Sequence, residues 1–338
     1  MIRSLIDDES LDLICAQVDF SSFSGKKILI TGGTGMVGSY LAEAIIRGTK
    51  LHGIAFTEMK ITGKSISSEL MSKFSKFSNV IISADSLSDS LTIGNYQVIF
   101  HLASPASPTQ YTDLESLLQI NSDCLVNLIG SFTEKFVFVS TGEVYGNKGG
   151  ILSEQDSGVF GRESPRDWYP YAKLSGERKS NELCIKHGSE LYIVRLFHTF
   201  GPGVRRNDGR SFADFLYSSA NGVPPRLYSD GLSLRTFLFS ADAIVGILTI
   251  ATKGRNFNIY NVGSNVPISI LDFAKRVSEL AGLGGRLHMD TQSNSGYLQS
   301  PNKVLIPNLD RIFELGWKIR VPLDSSIEKT LAYINSES

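Results

Sequence analysis

Short apolar runs separated by longer stretches of mixed polarity set the rhythm of the chain. They are Lys26 to Ile30, Ile54 to Phe56, Val80 to Ser83, Val98 to Leu102, Phe136 to Ser140 and Leu191 to Leu196. Helix-length segments lie between most of them, most clearly over residues 112–131 and 168–187. A strand that is apolar throughout is buried on both faces, and strands alternating with helices make βαβ units around a parallel sheet. The pattern predicts an α/β domain with a doubly wound parallel sheet. Ahead of it, residues 1–24 suit a short amphipathic helix (Leu5, Leu11, Leu13, Ile14) used for packing or a subunit contact. Beyond about residue 200 the rhythm is irregular. Pro202, Gly203, Asn207, Asp208 and Gly209 mark a long loop, a helix covers 211–221, and Pro224-Pro225 follows.

Composition narrows the class of protein. The chain has 338 residues, 42% apolar and 20% charged, with a formal net charge of -1. That is ordinary for a folded protein, and no basic excess draws the whole chain onto nucleic acid or an anionic membrane, while Arg205, Arg206 and Arg210 form a local cluster able to hold phosphates. Cys15, Cys124 and Cys184 lie far apart and include no pair with metal or redox spacing, so no metal site is expected. The first residues, MIRSLIDDESLDLI, carry acids where a secretion signal needs cations, and no run approaches the roughly 20 apolar residues of a membrane span. A soluble cytoplasmic location is expected.

Chemistry enters at Thr31-Gly32-Gly33-Thr34-Gly35-Met36-Val37-Gly38, which follows the first apolar run and opens a helix. Gly32, Gly35 and Gly38 are spaced for a tight turn that brings backbone against a pyrophosphate, with the helix N-terminus facing the anion. An acid about 20 residues onward would hold the adenosine ribose of NAD. The chain reads Ile54-Ala55-Phe56-Thr57-Glu58-Met59-Lys60 there. Either Glu58 serves one register late, or Thr57 and Lys60 admit a 2′-phosphate, so NAD is expected with NADP left open. Asp85 is placed to touch adenine or to form a turn.

Tyr169 and Lys173 stand at i and i+4, on one face of a helix. A lysine ammonium there lowers the phenol's pKa, so that the tyrosine exchanges a proton near neutral pH. The run Phe136 to Ser140 ends in Thr141, Gly142 and Glu143. Ligands of open parallel sheets bind beyond the strands' carboxyl ends, so Thr141 and Glu143 either face the crevice or serve as a strand cap and a solvated acid.

With these motifs together, the chain resembles the extended short-chain dehydrogenase/reductases, the nucleotide-sugar epimerases and dehydratases, from about Gly25 to Thr330. Further pieces of the likeness are His101-Leu102-Ala103, Ser140-Thr141-x-x-Val144-Tyr145-Gly146, Arg195-Leu196-Phe197, Gly201-Pro202, Arg235-x-Phe237 and Leu315-Gly316-Trp317. His101-Leu102-Ala103-Ser104-Pro105-Ala106-Ser107-Pro108 and Asn207-Asp208-Gly209-Arg210-Ser211-Phe212 are most similar to the UDP-glucuronate decarboxylase (UDP-xylose synthase) branch. The resemblance implies a Rossmann-type domain over 25–200 and a smaller substrate-binding lobe mainly over 201–338, with segments returning to the first. It implies a dinucleotide held by Gly32, Gly35, Met36, Val37, Gly38, Asp85, Leu102, Ala103, Ser104, Tyr169, Lys173 and Phe197. A nucleotide sugar would meet Pro105, Thr141, Glu143, His198, Arg210 and Arg235, and a homodimer is the family's habit.

The implied reaction starts with Tyr169 taking the proton of the sugar's C4 hydroxyl, with Thr141 on the same oxygen and Lys173 keeping Tyr169 acidic. A 4-ketone then acidifies C5, and Glu143 manages protons at C5 or C6. This points to a decarboxylase or 4,6-dehydratase. An epimerase or 4-ketosugar reductase is the enzymatic alternative, and a dinucleotide-sensing binding protein the non-enzymatic one. Three positions depart from the family's pattern. Leu305 replaces an arginine of the decarboxylases, His198 a substrate-binding asparagine, and Gly142 an acid of dTDP-glucose dehydratases.

Overall fold

Apolar runs that cannot stay in water on either face line up side by side. In the computed structural model, which describes residues 4–85, 87, 94–107, 111, 113–158, 160, 164–206, 208–290 and 303–336, they form one seven-stranded parallel sheet. Pro108 and Asn207 of the motifs above lie outside the described residues. The strands are β1 (Lys27–Thr31), β2 (Glu58–Thr62), β3 (Val80–Ser83), β4 (Val98–His101), β5 (Lys135–Thr141), β6 (Glu190–Leu196) and β7 (Asn258–Val262). Their order is β7-β6-β5-β4-β1-β2-β3, so the winding reverses between β1 and β4, and a crevice opens there at the carboxyl ends.

Successive residues of β1 feed opposite faces of the sheet. Ile28 and Ile30 join a large apolar cluster with Tyr40, Ile45, Ile244, Val245 and Trp317, while Leu29 joins a second with Phe136, Phe138, Leu183 and Leu191. The helices on the first face are α1 (Asp8–Gln17) and α2 (Met36–Leu51); the short α3 (Ser68–Phe74) precedes β3. α4 (Leu114–Leu118), α5 (Leu125–Leu128) and α6 (Pro165–His187) lie on the other. α7 (Ser211–Ala220) and α9 (Ile270–Leu280) build a separate apolar cluster around Phe200, Phe212, Phe237 and Phe273, and α8 (Ser240–Lys253) packs on the first face. Among the described residues, no helix is long and apolar enough to cross a membrane.

Several elements differ from the sequence reading, among them the seventh strand, Asn258–Val262, which matches none of its apolar runs. The second strand is Glu58–Thr62, not Ile54–Phe56. The earlier run only approaches the sheet, with Ala55 accepting from Gly25 and Thr57 donating to Lys26. The helix expected over 112–131 is interrupted by a π-turn at Gln119–Asp123. α6 starts at Pro165, ahead of the segment 168–187 read from the sequence, and so encloses Pro170. α8 was hidden in the irregular region, because residues from Ser240 to Ala251 are buried all round and show no polar stripe.

A buried ion pair fastens α6 to the sheet. Arg195 of β6 donates from Nε and Nη2 to the two oxygens of Glu177, at 3.0 and 2.8 Å, and each side chain is 5% exposed. Ser140, at the end of β5, donates to the same carboxylate at 2.6 Å. Removing one partner strands a charge in the interior. Arg195→Met is therefore expected to lower the unfolding free energy by about 3–5 kcal/mol in a urea titration, with Arg195→Met/Glu177→Leu recovering most of it. A single-variant loss below about 1 kcal/mol would mean that the pair does not anchor the helix.

Candidate active site

The glycine turn is shaped by close approach. Gly32 has φ +67°, and a Cβ there would lie 2.6 Å from the backbone nitrogen of Ala103. A Cβ on Gly38 would lie 2.3 Å from the Gly32 carbonyl oxygen, so α2 seats against the turn only without side chains. Gly35 caps α2 without a side-chain hydrogen bond, leaving the first amides for an anion. Gly32, Gly35, Met36, Val37 and Gly38 all line a cavity of about 810 Å³ at the sheet's reversal point. The cradle fits a dinucleotide pyrophosphate.

Leu102, Ala103, Ser104 and Pro105, beyond β4, continue the wall, as do Asp85 beyond β3 and Phe197 and His198 beyond β6. Asp85 pairs with Lys60 at 3.2 Å and accepts from Ser83 at 2.6 Å. Glu58 is corrected as a ribose ligand. It opens β2 at the end away from the crevice, where it accepts from the Tyr96 hydroxyl at 2.9 Å. The residues that do enter the cavity from β2 are Thr62, Gly63, Lys64 and Ser65.

At the other end Thr141, Glu143, Tyr169 and Lys173 converge. The Thr141 hydroxyl accepts from the Glu143 amide at 3.3 Å and hydrogen-bonds Tyr169. Glu143 pairs with Arg166 of α6 at 2.9 Å. Tyr111 stacks on Tyr169 with ring centroids 5.4 Å apart. Burial, and next Glu143, push the Tyr169 phenol above its ordinary pKa, while Thr141, Arg210 and Arg166 act in the opposite direction. Sequence reasoning gave that acidifying role to Lys173. Its ammonium instead donates to the Val139 carbonyl at 2.8 Å, and burial brings its pKa down to about 7, against the pull of Glu177.

His198 is also held neutral: burial, then Arg235, Arg210 and Arg166, bring it down to about 3. Its Nδ1 has no hydrogen-bond partner among the described residues. His101 stays neutral too, brought to about 3 by burial, with Nδ1 2.8 Å from the Thr31 hydroxyl. Arg210 lines the cavity, bonded to Asp208 (Nη2 to Oδ2, 2.8 Å) and lying over the Phe212 ring. Arg235 is not on the cavity wall; it is buried behind His198 and donates to the Leu234 carbonyl at 2.8 Å. Glu177, Arg166 and Tyr111 escaped the sequence reading. The first two stand at i+4 from Lys173 and i-3 from Tyr169, a helical-face signal that was there to use; Tyr111 carries none. Arg205, of the basic cluster read from the sequence, lines the cavity.

Sheet, glycine cradle and Tyr169–Lys173 helix together define an extended short-chain dehydrogenase/reductase. The chain belongs to the NAD dependent epimerase/dehydratase family, whose pattern it matches over residues 28–263. It is 29% identical over 317 residues to UDP-glucuronic acid decarboxylase 1 of Xenopus tropicalis, covering 92% of this chain and 73% of that one. It is 28% identical over 306 residues to UDP-N-acetyl-alpha-D-glucosaminuronate decarboxylase of Bacillus cytotoxicus, covering 86% of this chain and 91% of that one. The fold is shared with UDP-glucuronic acid 4-epimerase of Bacillus cereus, solved with UDP-glucuronic acid and NAD. There the TM-score is 0.77 at 20% identity, over 92% of this chain and 100% of the other.

The lowered Lys173 pKa has a consequence for stability. Unfolding returns the amine from about 7 to its ordinary 10.5, so between those values the unfolded chain binds more protons and native stability rises with pH. Urea titrations across that interval should show the native protein gaining stability relative to Lys173→Met. A difference that stays flat would mean that the buried amine keeps its ordinary pKa.

Proposed function

We propose that the protein oxidises C4 of a nucleotide-linked hexuronate and releases the C6 carboxylate as carbon dioxide. Gly32, Gly35, Met36, Val37 and Gly38 hold the pyrophosphate of a nicotinamide dinucleotide, with Asp85 toward its adenine. Leu102, Ala103, Ser104 and Phe197 flank it, and Lys173 reaches the nicotinamide ribose. The dinucleotide, when bound, supplies the hydride acceptor and donor for C4.

Tyr169 takes the C4 hydroxyl proton, and Thr141 hydrogen-bonds the same oxygen. The C4 ketone makes the sugar a β-keto acid. The C5–C6 bond breaks, carbon dioxide leaves, and the electron pair forms an enolate across C4 and C5. A proton returns to C5 from Glu143 or a water that it holds. Arg210 faces the nucleotide diphosphate as a guanidinium matched to phosphate. Pro105 and His198 shape the sugar's pocket, and Arg235 backs His198.

The observation that carries this reading is the meeting of Thr141, Glu143, Tyr169 and Arg210 on one cavity wall, with Arg166 paired to Glu143 behind it; both guanidinium groups act on the phenol. Inversion at C4 alone has no use for a carboxylate there. Arg205 or Arg210, both on the cavity wall with Leu305, takes the part of the arginine that Leu305 replaces. Dehydration fits less well. A Cβ on Gly142 would lie 2.8 Å from the Phe197 ring, so the acid that dTDP-glucose dehydratases carry would require that ring to move.

The test is incubation with UDP-glucuronate, UDP-glucose, dTDP-glucose, GDP-mannose and CDP-glucose, following gas release and product mass. Carbon dioxide from UDP-glucuronate is expected. A 4-keto-6-deoxy product from a neutral sugar would move the protein to the dehydratases, and an intact uronate inverted at C4 to the epimerases. Tyr169→Phe should lower kcat by about a hundred- to ten-thousandfold. Undiminished turnover would remove Tyr169 from the chemistry.

A further inference from the structure

In a doubly wound sheet the adenosine ribose lies at the carboxyl end of the second strand. An acid there accepts from the 2′-hydroxyl and repels a 2′-phosphate. With β2 at Glu58–Thr62, that place falls on Thr62, Gly63, Lys64 and Ser65, and none of the four is an acid. Glu58 is at the far end of the strand, bonded to Tyr96. Asp85, the acid on this part of the wall, has its charge matched by Lys60 and its oxygen taken by Ser83.

What the wall offers instead are donors. Lys64 and Ser65 are exposed on the cavity, and no side chain among the described residues pairs with the Lys64 ammonium. Thr34 of the glycine turn closes against the same spot, since a Cβ on Gly63 would lie 2.0 Å from its hydroxyl oxygen. That contact also bars an acidic side chain from position 63. An ammonium and two hydroxyls without an opposing carboxylate suit a phosphate dianion.

We propose that the cavity takes the 2′-phosphorylated dinucleotide, NADP or NADPH, with Lys64, Ser65 and Thr34 binding its 2′-phosphate. This rests on the reading above that a nicotinamide dinucleotide fills the cavity. Lys64 supplies the charge and the hydroxyls supply direction. Lys60, the other lysine of this region, is committed to Asp85 and adds little.

The test is a binding titration of the cofactor-stripped protein with NADPH and NADH, read by ligand fluorescence. Displacement of NADPH by 2′,5′-ADP and by 5′-AMP isolates the adenosine half. NADPH should bind at least about tenfold tighter than NADH, the scale of one charge-assisted hydrogen bond, and 2′,5′-ADP should outcompete 5′-AMP. Lys64→Ala should collapse the NADPH:NADH ratio by roughly tenfold, and Ser65→Asp should turn it toward NADH. Equal or tighter binding of NADH, or a ratio untouched by Lys64→Ala, overturns the proposal while leaving the proposed function standing. If neither dinucleotide binds, both readings fall together.

Discussion

Arg195 and Glu177 meet across the boundary between the sheet and α6, and the active end of the molecule is built on that contact. A charge pair 5% exposed persists only when its remaining donors and acceptors are satisfied. Ser140 donates to Glu177, and Arg195 also donates to the Glu154 carbonyl at 3.2 Å. Two strand ends and one helix are thereby held in register. Residues 169, 173 and 177 share one face of α6, so fixing Glu177 against the sheet fixes where Tyr169 and Lys173 enter the cavity.

The anchor also sets the electrical character of the site. Lys173 is buried against the Val139 carbonyl, His101 is buried beside it and His198 lies half-buried across the cavity, so all three resist carrying a charge. The fixed charges of the catalytic end are instead Arg166 with Glu143 and Arg210 with Asp208. Each arginine is held by a carboxylate and acts on the phenol between them. In a poorly solvated cavity such pairs reach further than they would in water. Tyr169 consequently feels groups from α6, from the turn after β5 and from the loop before α7.

The opposite end of the cavity is decided by sterics rather than charge. Gly32 and Gly38 let strand, turn and helix approach until a side chain could not be inserted, and Thr34 does the same to Gly63. These contacts leave backbone amides facing the cavity. They also leave the end of β2 with Lys64 and Ser65 as its chemistry, so one shift of strand register changes the reading of the whole adenosine pocket.

Much of this was legible in the chain itself. β3 was placed to the residue, and β1, β4, β5 and β6 to within one, because a doubly buried strand is a continuous apolar run. The glycine turn and the Tyr169–Lys173 spacing are local geometry, and local geometry is written in order along the sequence. β2 was misread because Met59 and Ile61 alternate with Glu58 and Lys60, while the apolar Ile54 to Phe56 just before it never joins the ladder. α8 was missed because a helix buried on every side has no stripe. The pairs that set charge and position, Arg195 with Glu177, Arg166 with Glu143 and Lys60 with Asp85, join residues 18 or more apart in the chain. Sequence alone therefore determined five of the seven strands, the turn and the catalytic helix, each of which follows from neighbours along the chain. Tertiary structure decided which charges meet and how far burial shifts them, because partner and solvent exposure exist only once the chain has closed.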